Sequence, residues 1–282
     1  MRTQLSRLSL ILATVLVLSG CNNDDPETKT GGASSGSEVT PGQIAETIIK
    51  MSASPDVYGE TAERHILTQQ LAEMGPAALA PVIDYMGAPD TTPTARLFIL
   101  QCVNNYLTPA YIPNLKPMLE STDEVTRAIA VMALGHIQNE MVPQLLTIAR
   151  SDSSPRVSFS ALSGLVMQGD PAARQEMKQM YTSGTAVGDI KVDDVKREVV
   201  RVLLRDAQAD DLPILQDALN QQFLAINSRV MITEVLGRLG DKTAIPLLEQ
   251  SLNLQTEPEY GEMVKQAIAA INGREGQTQA PA

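Results

Sequence analysis

Six arginines, Arg64, Arg96, Arg127, Arg156, Arg197 and Arg229, stand 32, 31, 29, 41 and 32 residues apart. Each opens an apolar run of helical period: RHILTQQLAEM, RLFILQCVNNYL, RAIAVMALGHI, RVSFSALSGLV, REVVRVLLRDA and RVMITEVLGRL. Apolar residues three and four apart share one stripe of a helix. After five of the six come a short polar or proline-bearing turn and a second run: LAPVIDYM, YIPNLKPML, MVPQLLTIA, LPILQDAL and AIPLLEQSL. The fourth copy continues with ARQEMKQMY, a weaker match that lacks the proline, and EMVKQAIAAI closes the array.

A unit of roughly 30 residues with two helices cannot bury its own apolar face, and stacking the units makes one continuous core. The spacing therefore predicts an all-α fold, an α-solenoid of about six two-helix repeats plus a closing helix, over residues 41–273. Prolines in the second runs fall near helix starts, where the first-turn N–H has no helical partner in any case. LGRLGD supplies glycine where a helix stops and the chain turns.

The Arg127–Ile137 helix and the stretch from Arg229 to Asp241, with its Leu-Gly pair, resemble HEAT repeats, specifically the short HEAT-like type of phycobilin lyase subunits. The resemblance covers residues 43–273 in outline and is strongest in those two copies. It implies a ladder in which acids and helix arginines bond between neighbouring repeats. Asp90, Asp123, Asp152 and Asp193 lie four to six residues ahead of Arg96, Arg127, Arg156 and Arg197. A basic, anion-binding stripe is the other reading of the same arginines.

The first twenty residues, MRTQLSRLSLILATVLVLSG, pair Arg2 and Arg7 with an apolar stretch and then small residues. This is the pattern of a secretory signal, too short to span a membrane. Leu18, Ser19 and Gly20 before Cys21 resemble the lipobox of bacterial lipoproteins, which implies that Cys21 is acylated. Two or more acyl chains, at about 0.8 kcal/mol per buried CH₂, give stable membrane attachment. Asn22 at the next position, where the resemblance would require Asp for inner-membrane retention, implies the outer membrane facing the periplasm. Residues 21–40 read as the acylated cysteine and a flexible tether, with a reach on the order of 25 Å. REGQTQAPA, residues 274–282, reads as a disordered tail.

Removing the signal takes away two of the 22 basic residues and none of the 33 acidic ones, so a net charge of −11 becomes still more negative. That opposes nucleic acid and anionic headgroups. There is no Trp and aromatics are 3%, too few for base-stacking or sugar-stacking clefts. With Cys21 acylated, Cys102 is alone and no internal disulfide forms; its apolar surroundings read as a buried thiol.

Catalytic signatures are sparse. His65 and His136 occupy unrelated helix positions, and no Cys/His/acid cluster has zinc spacing. Some HEAT-like enzymes bind iron through His-Glu pairs, and neither histidine here precedes Glu. LSGLV, residues 162–166, lies mid-helix and lacks the turn of a nucleophile elbow. The doublets Asp193-Asp194 and Asp210-Asp211 read as helix caps, with calcium binding as the alternative. No cofactor is expected.

Two features offer binding. Positions three, six and ten of the arginine helices, among them Ile129, Met132, His136, Val199 and Val202, form a candidate face, to which Ile99 and Tyr106 of the second copy are assigned as well. If exposed, its middle repeats form an apolar groove for a partner helix or peptide. The competing reading puts position three between layers. The 41-residue interval carries TSGTAVGDIKVD, residues 182–193, which reads as a mobile loop on one face. The sequence thus points to a lipid-anchored, non-catalytic scaffold with an unidentified protein or peptide partner. The alternative is a lyase or cofactor-handling protein of the phycobilin-lyase type.

Overall fold

The computed structural model describes residues 40–53, 61–254 and 257–278. The signal segment with Leu18, Ser19 and Gly20, Cys21, most of the tether, the side chains of Arg64 and His65, and residues 279–282 lie outside the described residues. The described chain forms an all-α solenoid without strands. Helix α1 (Pro41–Ala53) comes first. Six pairs follow: α2 (Thr61–Glu73) with α3 (Pro76–Gly87), α4 (Pro93–Val103) with α5 (Ile112–Leu119), and α6 (Glu124–Gly135) with α7 (Val142–Ala149). The others are α8 (Pro155–Met167) with α9 (Pro171–Ser183), α10 (Val192–Arg205) with α11 (Leu212–Leu219), and α12 (Ile226–Leu239) with α13 (Ile245–Ser251). Helix α14 (Pro258–Thr278) closes the array.

The arginine helices pack side by side, α2 on α4, α4 on α6, and so on to α12 on α14, forming one layer. Their partners α3, α5, α7, α9, α11 and α13 form the other. A single core runs between the layers through Ile83, Leu115, Leu134, Leu146, Leu203 and Leu248. Helix α1 packs on α2, α3 and α4 and covers the apolar faces of the first repeat, as a terminal cap must. The periodicity did not predict it because it lacks an arginine anchor.

Three further differences have local causes. The second helix of the fourth repeat begins on Pro171, with Asp170 accepting from the Ala173 N–H at 2.9 Å, so this copy too has a proline in its first turn. Helix α14 runs past the expected boundary at 273, and Arg274 donates to the carbonyls of Gly237 and Gly240 at the end of α12. The interval 182–193 is a folded turn and not an open loop. Gly184 caps α9 in the left-handed region at φ 62°, and Val187 and Ile190 exchange backbone hydrogen bonds of 3.1 and 2.9 Å.

Carboxylates tie neighbouring repeats together. Asp123 caps α6, accepting from the Val125 and Thr126 N–H groups at 3.2 Å each, and pairs with Arg96 of the preceding repeat. Asp152 accepts from the Ser154 N–H at 2.8 Å and takes Arg127 in a two-pronged bond of 2.8 and 3.0 Å. One acid therefore satisfies a helix terminus and an inter-repeat arginine. Further along the ladder changes. Arg156 pairs with Asp189 of the folded turn at 2.6 Å, and Arg197 pairs with Asp194 on its own helix. Asp193 does not serve as the rung because the inserted turn presents Asp189 first.

The closest crossing joins α6 and α8. A Cβ on Gly135 would lie 3.0 Å from the Gly164 Cα, and one on Gly164 would lie 3.0 Å from Leu146. The Leu-Gly signature thus marks contact between helices of adjacent repeats. Gln168 donates at 3.0 Å to the carbonyls of both Gly135 and Ile137, closing the end of α6 from the next repeat.

Candidate partner-binding groove

The sequence-predicted face divides when folded. Ile99, Ile129, Val199 and Val202 are buried, so Ile99, Val199 and Val202 offer no face to a partner and follow the competing core reading, while Ile129 floors the groove described below. Position three is core at Ile129 and Val199 but not throughout, since Met231 at the same position is 45% exposed. Tyr106 packs against the core, and its hydroxyl is pushed up by burial and by Glu73. Cys102 is buried. Met132 and His136 remain partly exposed, at the half-buried edge of α6.

A groove of 470 Å³ opens on the outer face of the arginine-helix layer. Its apolar lining comes from Leu97 of α4, Ala128 and Met132 of α6, Phe159 of α8, and Ile190 of the folded turn, with Ile129 at the floor. Leu97 is 45% exposed, unusual for a leucine beside so much apolar surface. Around the lining stand three carboxylates, Glu124, Asp194 and Glu198, and one guanidinium, Arg156. Glu124 accepts from the Ser154 hydroxyl at 2.7 Å, and Glu198 holds Arg201 at 2.6 and 2.7 Å.

The inserted turn forms one wall. Gly188, at φ 56°, rests so close to Pro155 that a Cβ there would lie 3.0 Å from the proline ring. Asp189 beside it pairs with Arg156, and Ile190 packs against the core and into the groove. Sequence reasoning missed Leu97, Phe159 and Ile190. Leu97 sits in the continuous apolar run LFIL, where periodicity cannot separate the groove face from the core face, and Phe159 stands between Ser158 and Ser160, where it reads as a single core residue.

A second pocket, 390 Å³, adjoins the first and is lined by Arg201, Arg205, His136, Asn104 and Met231 among others. His136 is held down to about 4, first by burial and then by Arg201 and Arg205, so its ring is neutral near pH 7. Ser163, in the groove, donates back to the Phe159 carbonyl at 3.2 Å, an ordinary helical bond. Asp211 is fully buried and paired with both Arg174 and Lys178, so protein cations occupy the place that calcium would take. Among the described residues no group of three His, Cys, Asp or Glu side chains is arranged to hold a metal, and no helix is long and apolar enough to cross a membrane.

Residues 112–187 match the family model of HEAT repeats, and residues 228–253 match that of the PBS lyase HEAT-like repeat. Both stretches are HEAT-type repeats. The first holds α5 to α9 and most of the groove; the second holds α12 and α13. No curated protein matches the chain. Among solved structures, human deoxyhypusine hydroxylase in complex with glycerol aligns at 15% identity, covering 83% of this chain and 97% of that one, with a TM-score of 0.39.

Proposed function

We propose that this protein is a membrane-anchored, non-catalytic HEAT-repeat scaffold that docks a partner protein in the bacterial cell envelope. Cys21 carries the lipid and residues 22–40 tether the repeat domain, probed by whether Cys21→Ser releases the protein from membranes. The periplasmic face of the outer membrane is the proposed site. The groove carries the docking reading: an apolar bed across three consecutive arginine helices, walled by the turn at Ile190. Of its charged rim, Asp194 is held by Arg197, Glu198 by Arg201 and Arg156 by Asp189, which leaves Glu124 to favour an apolar segment with a basic flank.

A photo-crosslinking residue placed at Leu97 in cells tests this. A second goes at Ile148, which is 65% exposed on the other layer. The expected result is one adduct from Leu97, mapping to an apolar peptide with Lys or Arg beside it, and lost on Met132→Glu. Equal adducts from Leu97 and Ile148, or indifference to Met132→Glu, would count against the groove. The match of residues 228–253 to the PBS lyase HEAT-like repeat supports a second reading, a lyase-type or cofactor-handling protein. A visible absorption band or bound metal in purified protein would favour it.

A further inference from the structure

The groove and the basic pocket are lined by successive turns of the same helices. On α6, Met132 lines the groove and His136, four residues on, lines the pocket. On α8 the same step runs from Ser163 to Met167, and on α10 from Glu198 to Arg201. Residues three or four apart are neighbours on a helix surface, so the two cavities lie end to end along three adjacent helices. A ligand that fills one reaches the other within about one helical turn, ~5 Å.

The pocket's charge is uneven. Arg201 is neutralised by Glu198, and His136 is neutral near pH 7. Among the described residues no carboxylate pairs with Arg205. Burial, and then Arg201, push the Arg205 guanidinium down from its ordinary value, the direction expected of a cation without an anion. One uncompensated positive charge matches one negative charge. A planar guanidinium suits a planar carboxylate; Arg205 is exposed to solvent in the pocket, and Asn104 and Asn105 line it with side-chain amides.

We propose that this pocket receives a carboxylate, held by Arg205 and the asparagine amides, and that the carboxylate belongs to the same peptide segment that fills the groove. The bound segment then has a polarity: a basic residue at the acidic rim, apolar side chains on Met132 and Phe159, and an acidic residue or a C-terminus at Arg205. The source of the carboxylate rests on the docking reading, but its chemistry does not.

The test separates the two. The full chain has two histidines, so the His136 ring can be followed by NMR with His65 as internal control. At pH 6.5 and constant ionic strength, acetate replacing chloride is expected to shift the His136 signals saturably, leave His65 still, and lose its effect in Arg205→Gln. A response no greater than chloride's, or one that survives Arg205→Gln, overturns the site. Tighter binding of inorganic phosphate than of acetate overturns the assignment to carboxylate. In cells, Arg205→Gln is expected to cut the Leu97 adduct about threefold, the size of effect that removing one exposed partner of an ion pair has on docking. An undiminished adduct shows that the carboxylate is not the docked segment's, and the groove reading stands. Loss of the adduct in Met132→Glu with the acetate response intact supports both assignments, whereas no adduct in the unaltered protein beside an intact response defeats docking alone.

Discussion

Asp211 is a residue whose role depends on partners 33 and 37 positions away. It closes a capping box with Gln208, and it also receives Arg174 and Lys178, which the packing of the fourth and fifth repeats buries with it. Asp211→Ala leaves the buried Arg174 without its anion, while Lys178 keeps Asp210 at 2.7 Å, and is expected to cost about 3–5 kcal/mol by urea unfolding. Replacing all three by Met, Met and Leu should recover most of that loss, because the pair's desolvation disappears with it. Asp123 gives a pH signature. The Thr126 hydroxyl, and then Arg96 and two backbone N–H groups, hold its carboxyl at about 2 against burial, below the ordinary 3.8. A carboxyl lowered by folding stabilises the fold fully above its unfolded value, and that stabilisation is lost as pH falls from near 3.8 toward 2. Asp123→Asn is therefore expected to be less stable at pH 7 but to lose less stability over that acid window. With 45% of the Asp123 side chain exposed, added salt should shrink the difference. The sequence showed Asp210-Asp211 as a cap, because capping is local, and Asp123 as an acid of the arginine ladder. It did not show Asp211's arginine and lysine, because nothing in ARQEMKQMY marks which cations turn inward.

The helices themselves were readable from one signal, the recurrence of arginine and apolar residues near every 30 positions. Where that signal was absent or ambiguous, packing decided. Helix α1 has no arginine, yet it buries Ile44 and Ile48. The end of α14 looked polar enough for a tail, yet Arg274 holds it to α12. The sequence leaves position three open between groove and core; Val199 there is core, Ile129 is buried yet floors the groove, and Leu97 and Ala128 join the Met132 that the sequence does place on that face. A helix wheel gives the angle between residues, not which side the neighbouring helix takes. The same neighbours explain the glycines inside α6, α8 and α12. A Cβ on Gly237 would come within 3.0 Å of the Ala267 Cα and Cβ on α14, and backbone cannot yield as a side chain can. Gly237→Val is expected to destabilise by about 1–3 kcal/mol. Gly273→Ala, where a Cβ meets nothing within 4 Å, should be neutral or stabilising by up to about 1 kcal/mol. Thermal melts of the two variants check the pair.

Over the whole molecule, the solenoid turns a repeated local unit into an extended surface, and one stretch of that surface departs from the repeat. The 41-residue interval adds a turn that swings Asp189 onto Arg156 and Ile190 over the groove, so the groove sits where the period breaks. Sequence could locate the interval but not its direction, which depends on the contact of Gly188 with Pro155. The partner we propose for the groove is read from its chemistry: apolar in the middle, basic opposite Glu124, acidic at Arg205. The central claim is that partners dock there. Its most direct test measures the affinity of the segment crosslinked at Leu97 for the unaltered protein, for Leu97→Glu and for Ile148→Glu. Both substitutions add one negative charge to an exposed site, so they differ in place alone. Docking in the groove predicts a loss of about tenfold or more for Leu97→Glu, some 1.4 kcal/mol, and none for Ile148→Glu. Equal affinities for all three proteins would contradict it.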